Sequence, residues 1–333
     1  MSSIRLSVCI PTYNFGGFIG ETLKSVIDQA GDDVEIIVVD GASTDNTAEV
    51  VRDFQKRYPR LQYHLLDKKG GIDKDMAKAV ELAQGDYCWL LSSDDALKSG
   101  AIGRVLRETA SGNDVYLCNR TECDINLNPV YNRSWLSLNT EDTVFNLSSK
   151  SELLRYFSRA ISIGALFSYM SSIVVLRNKW NSTGYDERFT GTHYAHAFRL
   201  FTLLIRGGQL KYIKDPLVLC RGENDSFLQK GAAHRFLIDL EGYQVLGSHL
   251  FHDDETLRAF HAVIRREFKW YIFAGLRHDV DSSEWSAIER RLLSFGYSRT
   301  ELRSVRMLGS SRLLVLSARR IRVAIRRLLF NNT

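Results

Sequence analysis

Through its first third the chain alternates short, nearly continuous apolar runs with segments whose apolar positions recur every three or four residues. The runs Leu6–Ile10, Glu35–Val39, Leu61–Leu66, Tyr87–Leu91 and Val115–Cys118 are too short for helices and are bounded by turn residues, so they predict strands. Between them, Ile19, Leu23, Val26 and Ile27 share one helical face and predict a helix over Gly20–Gln29. Thr47–Tyr58, opened by a Ser/Thr/Asp/Asn cluster suited to capping, predicts a second helix, and Asp73–Ala83 and Ala101–Thr109 two more. Alternation of this kind predicts an α/β fold, a mainly parallel sheet covered by helices.

Beyond Asn119 the pattern loosens. Residues 121–149 are polar with scattered aromatics and predict a long excursion that carries no interpretable motif. Ser151–Ala160 reads as a helix, Ser171–Leu176 as a strand, Tyr194–Ile205 as a helix ended by Gly207 and Gly208, and Leu217–Arg221 as a strand. From His234 the period is helical. A boundary therefore falls near Asn224, with the sheet in residues 1–224 and a mainly helical region in 225–333.

The 333 residues are 44% hydrophobic and 25% charged, an ordinary globular make-up that excludes a disordered or fibrous chain. No run approaches the roughly 18–20 apolar residues of a membrane span. The opening MSSIRLSVCIPTYN lacks the apolar stretch and cleavage site of a signal peptide, so the expected location is the cytoplasm. The net charge of +5 is unevenly placed: from Arg299 onward nine arginines face one acid, Glu301, giving +8 and leaving −3 for the rest. Basicity confined to the tail gives no ground for expecting a nucleic-acid partner. Five cysteines (Cys9, Cys88, Cys118, Cys123, Cys220), odd in number and without CxxC spacing, argue against a disulfide framework or zinc ribbon. Cys9 and Cys88, inside apolar runs, read as core residues.

In an open α/β sheet the ligand binds outside the carboxyl ends of the strands. Four predicted strands end in polar clusters: Pro11-Thr12-Tyr13-Asn14, Asp40-Gly41-Ala42-Ser43-Thr44-Asp45, Lys68-Lys69-Gly70-Gly71 and Ser92-Ser93-Asp94-Asp95. Each alone fits turn and cap chemistry. At one sheet edge they describe a pocket for a nucleotide diphosphate. Asp40 would accept from a base N–H or ribose hydroxyls, Tyr13 would offer a stacking face, and Gly70 and Gly71 would admit a ligand close to the backbone. Lys68 or Lys69 would neutralise phosphate, and Asp94 and Asp95 offer hard oxygen ligands to Mg²⁺ or Mn²⁺. Neither GxGxxG nor GxxxxGK[ST] occurs, so dinucleotide and P-loop readings lack their phosphate cradle.

The stretches SVCIPTYNFGGFIGETLKSVIDQ, EIIVVDGASTDNT and KGGIDKDMAKAVELAQGDYCWLLSSDD, in this order and spacing, resemble glycosyltransferase family 2. The match is strong over residues 5–110 and weak to 227. The resemblance implies a GT-A αβα sandwich with a mainly parallel, mixed sheet, a helical C-terminal region, and metal-dependent sugar transfer from a nucleotide diphosphate donor. It puts Pro11, Thr12, Tyr13 and Asp40 at nucleotide-contacting positions, with Asn14, Gly41, Ser43 and Gly71 in the same site. Asp94 falls at a ribose or metal position and Asp95 at the metal-binding end of a DxD-type motif. GGIDKD followed by YCWLLSSDD is most similar to the abequosyltransferase-like branch, which transfers 3,6-dideoxyhexoses in bacterial O-antigen assembly.

The second half departs from the family pattern. Gly184-Tyr185-Asp186-Glu187-Arg188-Phe189 resembles the segment that leads into a Glu-Asp pair, whose carboxylate is the general base of inverting members. Here Thr190-Gly191-Thr192-His193-Tyr194-Ala195-His196 follows, and the carboxylate is missing. Likewise Cys220-Arg221-Gly222-Glu223-Asn224-Asp225-Ser226 resembles an Arg-x-His segment, with Glu223 in the histidine's place. A histidine serves as base near neutral pH without a large shift. His193 or His196 is therefore the expected acceptor-side group, with Asp186 a further candidate; capping or packing of the histidines is the plain alternative, and the stereochemical outcome stays open. In Arg312–Phe330, Leu314, Ala318, Ile321, Ile325 and Leu328 share a face turned from Arg319, Arg322 and Arg326, which predicts an amphipathic helix on anionic lipid. That suits a lipid-linked glycan acceptor and a peripheral place on the inner face of the cytoplasmic membrane. A rival enzyme is a polyprenyl-phosphate glycosyl synthase, whose ionised acceptor needs no base. A rival outside catalysis is an inactive nucleotide-sugar-binding scaffold.

Overall fold

The computed structural model describes residues 4–224 and 231–310. Its sheet half consists of β1 (Leu6–Thr12), α1 (Ile19–Ile27), β2 (Val34–Asp40), α2 (Thr47–Gln55), β3 (Leu61–Leu65), α3 (Ile72–Leu82), β4 (Tyr87–Leu90), β5 (Ala96–Leu97), α4 (Ala101–Thr109) and β6 (Val115–Cys123). There follow β7 (Pro129–Arg133), β8 (Thr143–Asn146), α5 (Lys150–Arg159), β9 (Ile173–Leu176), α6 (Arg177–Thr183), α7 (Ala195–Ile205) and β10 (Gln209–Cys220). Helices α8 (Ala232–Leu250), α9 (Asp254–Glu267), α10 (Ile272–Asp279), α11 (Ser282–Ser294) and α12 (Arg299–Gly309) complete the described chain.

The strands form one mixed α/β sheet, ordered β3-β2-β1-β4-β9-β6-β10-β5, with β7 on β6 and β8 on β10. Register decides where chemistry collects. Thr12 lies opposite Asp40 and Asp40 opposite Leu65, so the parallel strands β1, β2 and β3 end level. Strand β9 runs antiparallel to β4 from Ile173 opposite Leu90, which brings the residues before β9 beside those after β4. Antiparallel pairing of Leu219 with Ala96 brings the end of β10 to the same place.

β1 and β2 are buried along their whole length, as strands covered on both faces must be. Alternate residues part to opposite layers. Val8, Ile10, Ile36 and Val38 pack with Leu23 and Val26 of α1 and Ile102 and Val105 of α4. Cys9, Ile37 and Val39 pack with Ala79 of α3 and Leu200 of α7, in a core that continues through Phe260, Trp285 and Leu302 of the C-terminal helices. The strands end before Asn224, yet hydrophobic packing runs on past it without a break. All five cysteines are free, and Cys9 and Cys88 are fully buried, as expected of core residues.

Where the structure departs from the sequence expectations, the cause is local. Residues 121–149 hold the extension of β6, then β7 and β8. These edge strands are largely exposed, so they show no apolar run. The last strand starts at Gln209 rather than Leu217, because Asp215 and Pro216 interrupt its pattern; Pro216 donates no ladder bond, and the register shifts on either side of it. Helix α6, only seven residues long, carried no legible period. The arginine-rich segment Arg312–Phe330, with its expected membrane-surface helix, lies outside the described residues. Among the described residues no helix is long and apolar enough to cross a membrane.

Candidate active site

The loops after β1 and β2 are tied together by short polar bonds. Asn14 adopts a left-handed conformation (φ 57°) and donates its N–H to Ser43 Oγ at 2.8 Å. Its Oδ1 accepts from the Thr44 N–H at 2.7 Å. Asp45 accepts from the N–H groups of Gly16 and Thr47 and so serves as cap for α2, a structural role. Asp40, at the end of β2, is fully buried; Oδ1 accepts from the Ser43 N–H and Oδ2 from the Tyr63 hydroxyl, each at 2.7 Å. Burial and the bond to Asp40 push the Tyr63 pKa up, so the phenol stays a donor. The Lys69 ammonium stands 3.7 Å from the Tyr13 ring centroid, and Pro11 and Thr12 are buried at the strand end.

Helix α3 contributes two acids that sequence reasoning passed over. Gly71 (φ 84°) turns the chain into the helix, where a side chain would be strained. Asp75 then lies against the backbone of Gly41 and Gly70; a Cβ at Gly41 would stand 2.8 Å from its Oδ2, and one at Gly70 would collide with Oδ1. Its Oδ1 is buried without a hydrogen-bond partner. Burial, opposed by Lys69 and reinforced by the Asp40 charge, lifts this carboxyl to about 6. Asp73 turns the other way. Its Oδ2 accepts from the N–H groups of Gly191 (2.9 Å) and His193 (3.0 Å) and its Oδ1 from that of Ala195 (3.2 Å).

After β4 the acid pair separates into two environments. Asp95 is 3% exposed; Oδ2 accepts from the Tyr169 hydroxyl and Ser171 Oγ, both at 2.6 Å, and Oδ1 from the Arg221 N–H at 3.1 Å. Burial, with the neighbouring charge of Asp94, raises its carboxyl to about 7. Asp94 is more open and accepts from Ser92 Oγ and, at 2.9 Å, from Asn224 Nδ2. The buried Arg221 guanidinium braces this corner, donating to the carbonyls of Asp94 and Ile125 and pairing with Glu21. Two hard carboxylates crowded until one resists ionisation form a donor set that a divalent cation fits, because the cation relieves the repulsion. Among the described residues no group of three or more His, Cys, Asp or Glu side chains is placed to hold a metal.

His193, left-handed at φ 65°, owes its place to Asp73, and burial depresses its pKa. His196, at the start of α7, puts Nε2 at 2.8 Å from the Phe167 carbonyl. A carbonyl only accepts, so Nε2 carries the proton and Nδ1 is the basic nitrogen. Burial lowers its pKa below 6.5, which keeps the ring neutral at pH 7. Phe167 and Tyr169, two residues apart, thus link His196 to Asp95. Asp186 stands apart from these contacts. It caps a short 3₁₀ turn and pairs with Arg188, which holds its carboxyl below the usual range.

A mixed sheet whose parallel strands end level on a buried carboxylate, with an acid pair just beyond the neighbouring strand, has the form of the ligand-binding edge of an open α/β enzyme. The model of the family described as glycosyl transferase family 2 matches residues 7–191, and the chain belongs to that family. It is a glycosyltransferase. It is 39% identical over 272 residues to abequosyltransferase RfbV of Salmonella typhimurium, covering 80% of this chain and 81% of that one. It is 28% identical to the GalNAc(5)-diNAcBac-PP-undecaprenol beta-1,3-glucosyltransferase of Campylobacter jejuni, over 60% of this chain and 65% of that one. Among solved structures, Staphylococcus aureus TarS 1–349 in complex with UDP-GlcNAc aligns with a TM-score of 0.65 at 17% identity, covering 88% of this chain and 80% of that one. The mannosyltransferase PcManGT from Pyrobaculum calidifontis, in complex with GDP-Man and Mn²⁺, aligns with a TM-score of 0.53 at 14% identity, over 96% and 86%. Both likenesses bear on the fold, which is GT-A.

Proposed function

We propose that the protein moves a sugar of the 3,6-dideoxyhexose class from a nucleotide diphosphate donor to a hydroxyl of a lipid-linked bacterial surface glycan. The observation that carries the reading is the Asp94–Asp95 pair at the end of β4, beside the level ends of β1 and β2. Similarity to an abequosyltransferase supports the sugar class, and the undecaprenol-linked substrate named for the Campylobacter relative supports a lipid-linked acceptor. Residues 1–224 hold the donor chemistry. The basic segment Arg312–Phe330, which ends the mainly helical region 225–333, holds the enzyme to anionic lipid at the inner face of the cytoplasmic membrane.

In this reading Asp40 and Tyr13 bind the nucleoside, with Pro11, Thr12, Asn14, Gly41, Ser43 and Gly71 shaping its surroundings. Asp95 and Asp94 would hold Mn²⁺ or Mg²⁺, which when bound neutralises charge developing on the departing diphosphate. His196 Nδ1, kept neutral by burial, takes the proton of the acceptor hydroxyl. His193 flanks it, and Asp186 steadies the loop ahead of both through Arg188. A polyprenyl-phosphate synthase is the second reading, favoured by the missing carboxylate in 190–196; an acceptor screen separates the two.

Thermal-shift measurements with UDP, CDP, GDP and dTDP, each with Mn²⁺ and with EDTA, test the donor site. A ligand at ~100 times its dissociation constant stabilises by about 2.7 kcal/mol. A metal-dependent shift with CDP is expected; no shift with any nucleotide refutes the donor site.

A further inference from the structure

A cavity of about 570 Å³ opens between α3 and the segment from α6 to α7; Lys68, Gly70 and Asp75 form its border with the expected nucleotide side, and none of Tyr13, Asp40, Asp94 or Asp95 lines it. Arg199 of α7 lines it and is 8% exposed. The guanidinium lies 4.5 Å from the Trp180 ring centroid, and Nε donates to the Trp180 carbonyl at 2.8 Å. That occupies one of five N–H donors. No carboxylate pairs with it among the described residues, and burial lowers its pKa to about 10. Four acids line the cavity: Glu187 is engaged with Lys74 at 3.3 Å and Glu81 with Lys78 at 2.8 Å, Asp67 is exposed, and the Asp75 carboxylate lies against Gly41 and Gly70. Buried charges in proteins are paired or bind a ligand.

We propose that this cavity is a second ligand site, one that takes a carboxylate or phosphate group on the guanidinium of Arg199. A planar fork with free N–H groups matches either anion in a two-bond geometry. The volume suits a small molecule of monosaccharide size. An occupant bridges α3 and α7 behind the segment 186–196, whose N–H groups Asp73 already holds, so it would brace the loop that carries His193. The site does not depend on the donor reading.

Calorimetric titration of the full-length protein with sodium phosphate and with sodium glucuronate, each against sodium chloride at matched ionic strength, tests it. At least one anion is expected to bind with a millimolar or tighter Kd, weakened tenfold or more by Arg199→Met. Preference for phosphate assigns a phosphorylated ligand, preference for glucuronate an acidic sugar, and equal binding the anionic group alone. Because Arg199→Met also removes the bond to Trp180, Asn181→Asp is measured beside it; it sets a negative charge on an exposed part of the wall and is expected to weaken binding several-fold in a protein of unchanged circular dichroism. Absence of binding above chloride, or equal binding by wild type and both variants, overturns the proposal. Nucleotide binding measured in the same samples is expected to be unchanged, so failure of the donor reading is seen separately.

Discussion

Asp75→Asn is expected to make the protein more stable above pH 6 and to lose that advantage near pH 4. The wild-type carboxyl is 4% exposed, its Oδ1 has no partner, and burial lifts it from 3.8 to about 6. The folded chain therefore holds a proton that the unfolded chain has already released. The resulting stabilisation is fully present below pH 3.8 and is lost as pH rises through 6. Two pKa units at 1.36 kcal/mol each amount to about 3 kcal/mol, all of it forgone by pH 8. Asparagine keeps the shape and carries no charge to bury, while an amide N–H left without an acceptor returns about 1–2 kcal/mol of the gain. The net expectation is ~1–2 kcal/mol in favour of the variant at pH 8, read from urea unfolding followed by circular dichroism without nucleotide. A variant less stable than wild type at pH 8, or an advantage that persists undiminished at pH 4, would refute the assignment of a buried charge whose desolvation outweighs its partners.

Three further outcomes are expected. Asp95→Ala should abolish transfer almost completely while circular dichroism stays native; full activity in that variant would sink the metal assignment. Asp73→Ala strands three N–H groups of the 191–195 segment and should cost about 2–4 kcal/mol in denaturant unfolding, whereas a cost under about 0.5 kcal/mol would show that the clasp is dispensable. Because burial depresses the His196 pKa, turnover should hold steady down to pH 6.5 and fall only below it. His196→Gln should lower kcat about 100-fold with KM little changed, and an unaltered pH profile in that variant would exclude the ring as base.

The strand-end clusters of the proposed donor side were legible because their residues follow buried strands in sequence. An apolar run ending in Asp40-Gly41 or in Ser92-Ser93-Asp94-Asp95 announces both strand and cluster, and parallel register brings the ends level. The partners of those residues were not legible. Tyr169 and Ser171 reach Asp95 only because β9 is antiparallel to β4, and Arg221 only because β10 pairs with β5. No periodicity in 163–172 or 209–221 encodes that pairing. Asp73 and Asp75 did carry a signal, two acids in the first turn of an otherwise ordinary helix. First-turn acids usually complement the helix dipole from solvent, and only burial distinguishes these.

In the proposed reading those two acids let one helix serve both halves of the site. Asp75 faces Gly41 and Gly70 on the nucleotide side, while Asp73 holds the N–H groups of the segment that bears His193 and leads into His196. Two residues on one rigid turn cannot move independently. In the proposed reading, a nucleotide seated at Gly41 that displaces α3 would displace the 191–195 segment with it, and the coupling needs no other path. It follows that changes beneath α3 should alter apparent donor and acceptor affinities together. Ala79, fully buried against the sheet one turn after Asp75, is the place to test this, since Ala79→Val adds two methyl groups under the helix while leaving both carboxylates in place. Parallel shifts in the KM for both substrates are expected, and a shift confined to one of them would show that the two halves are set separately.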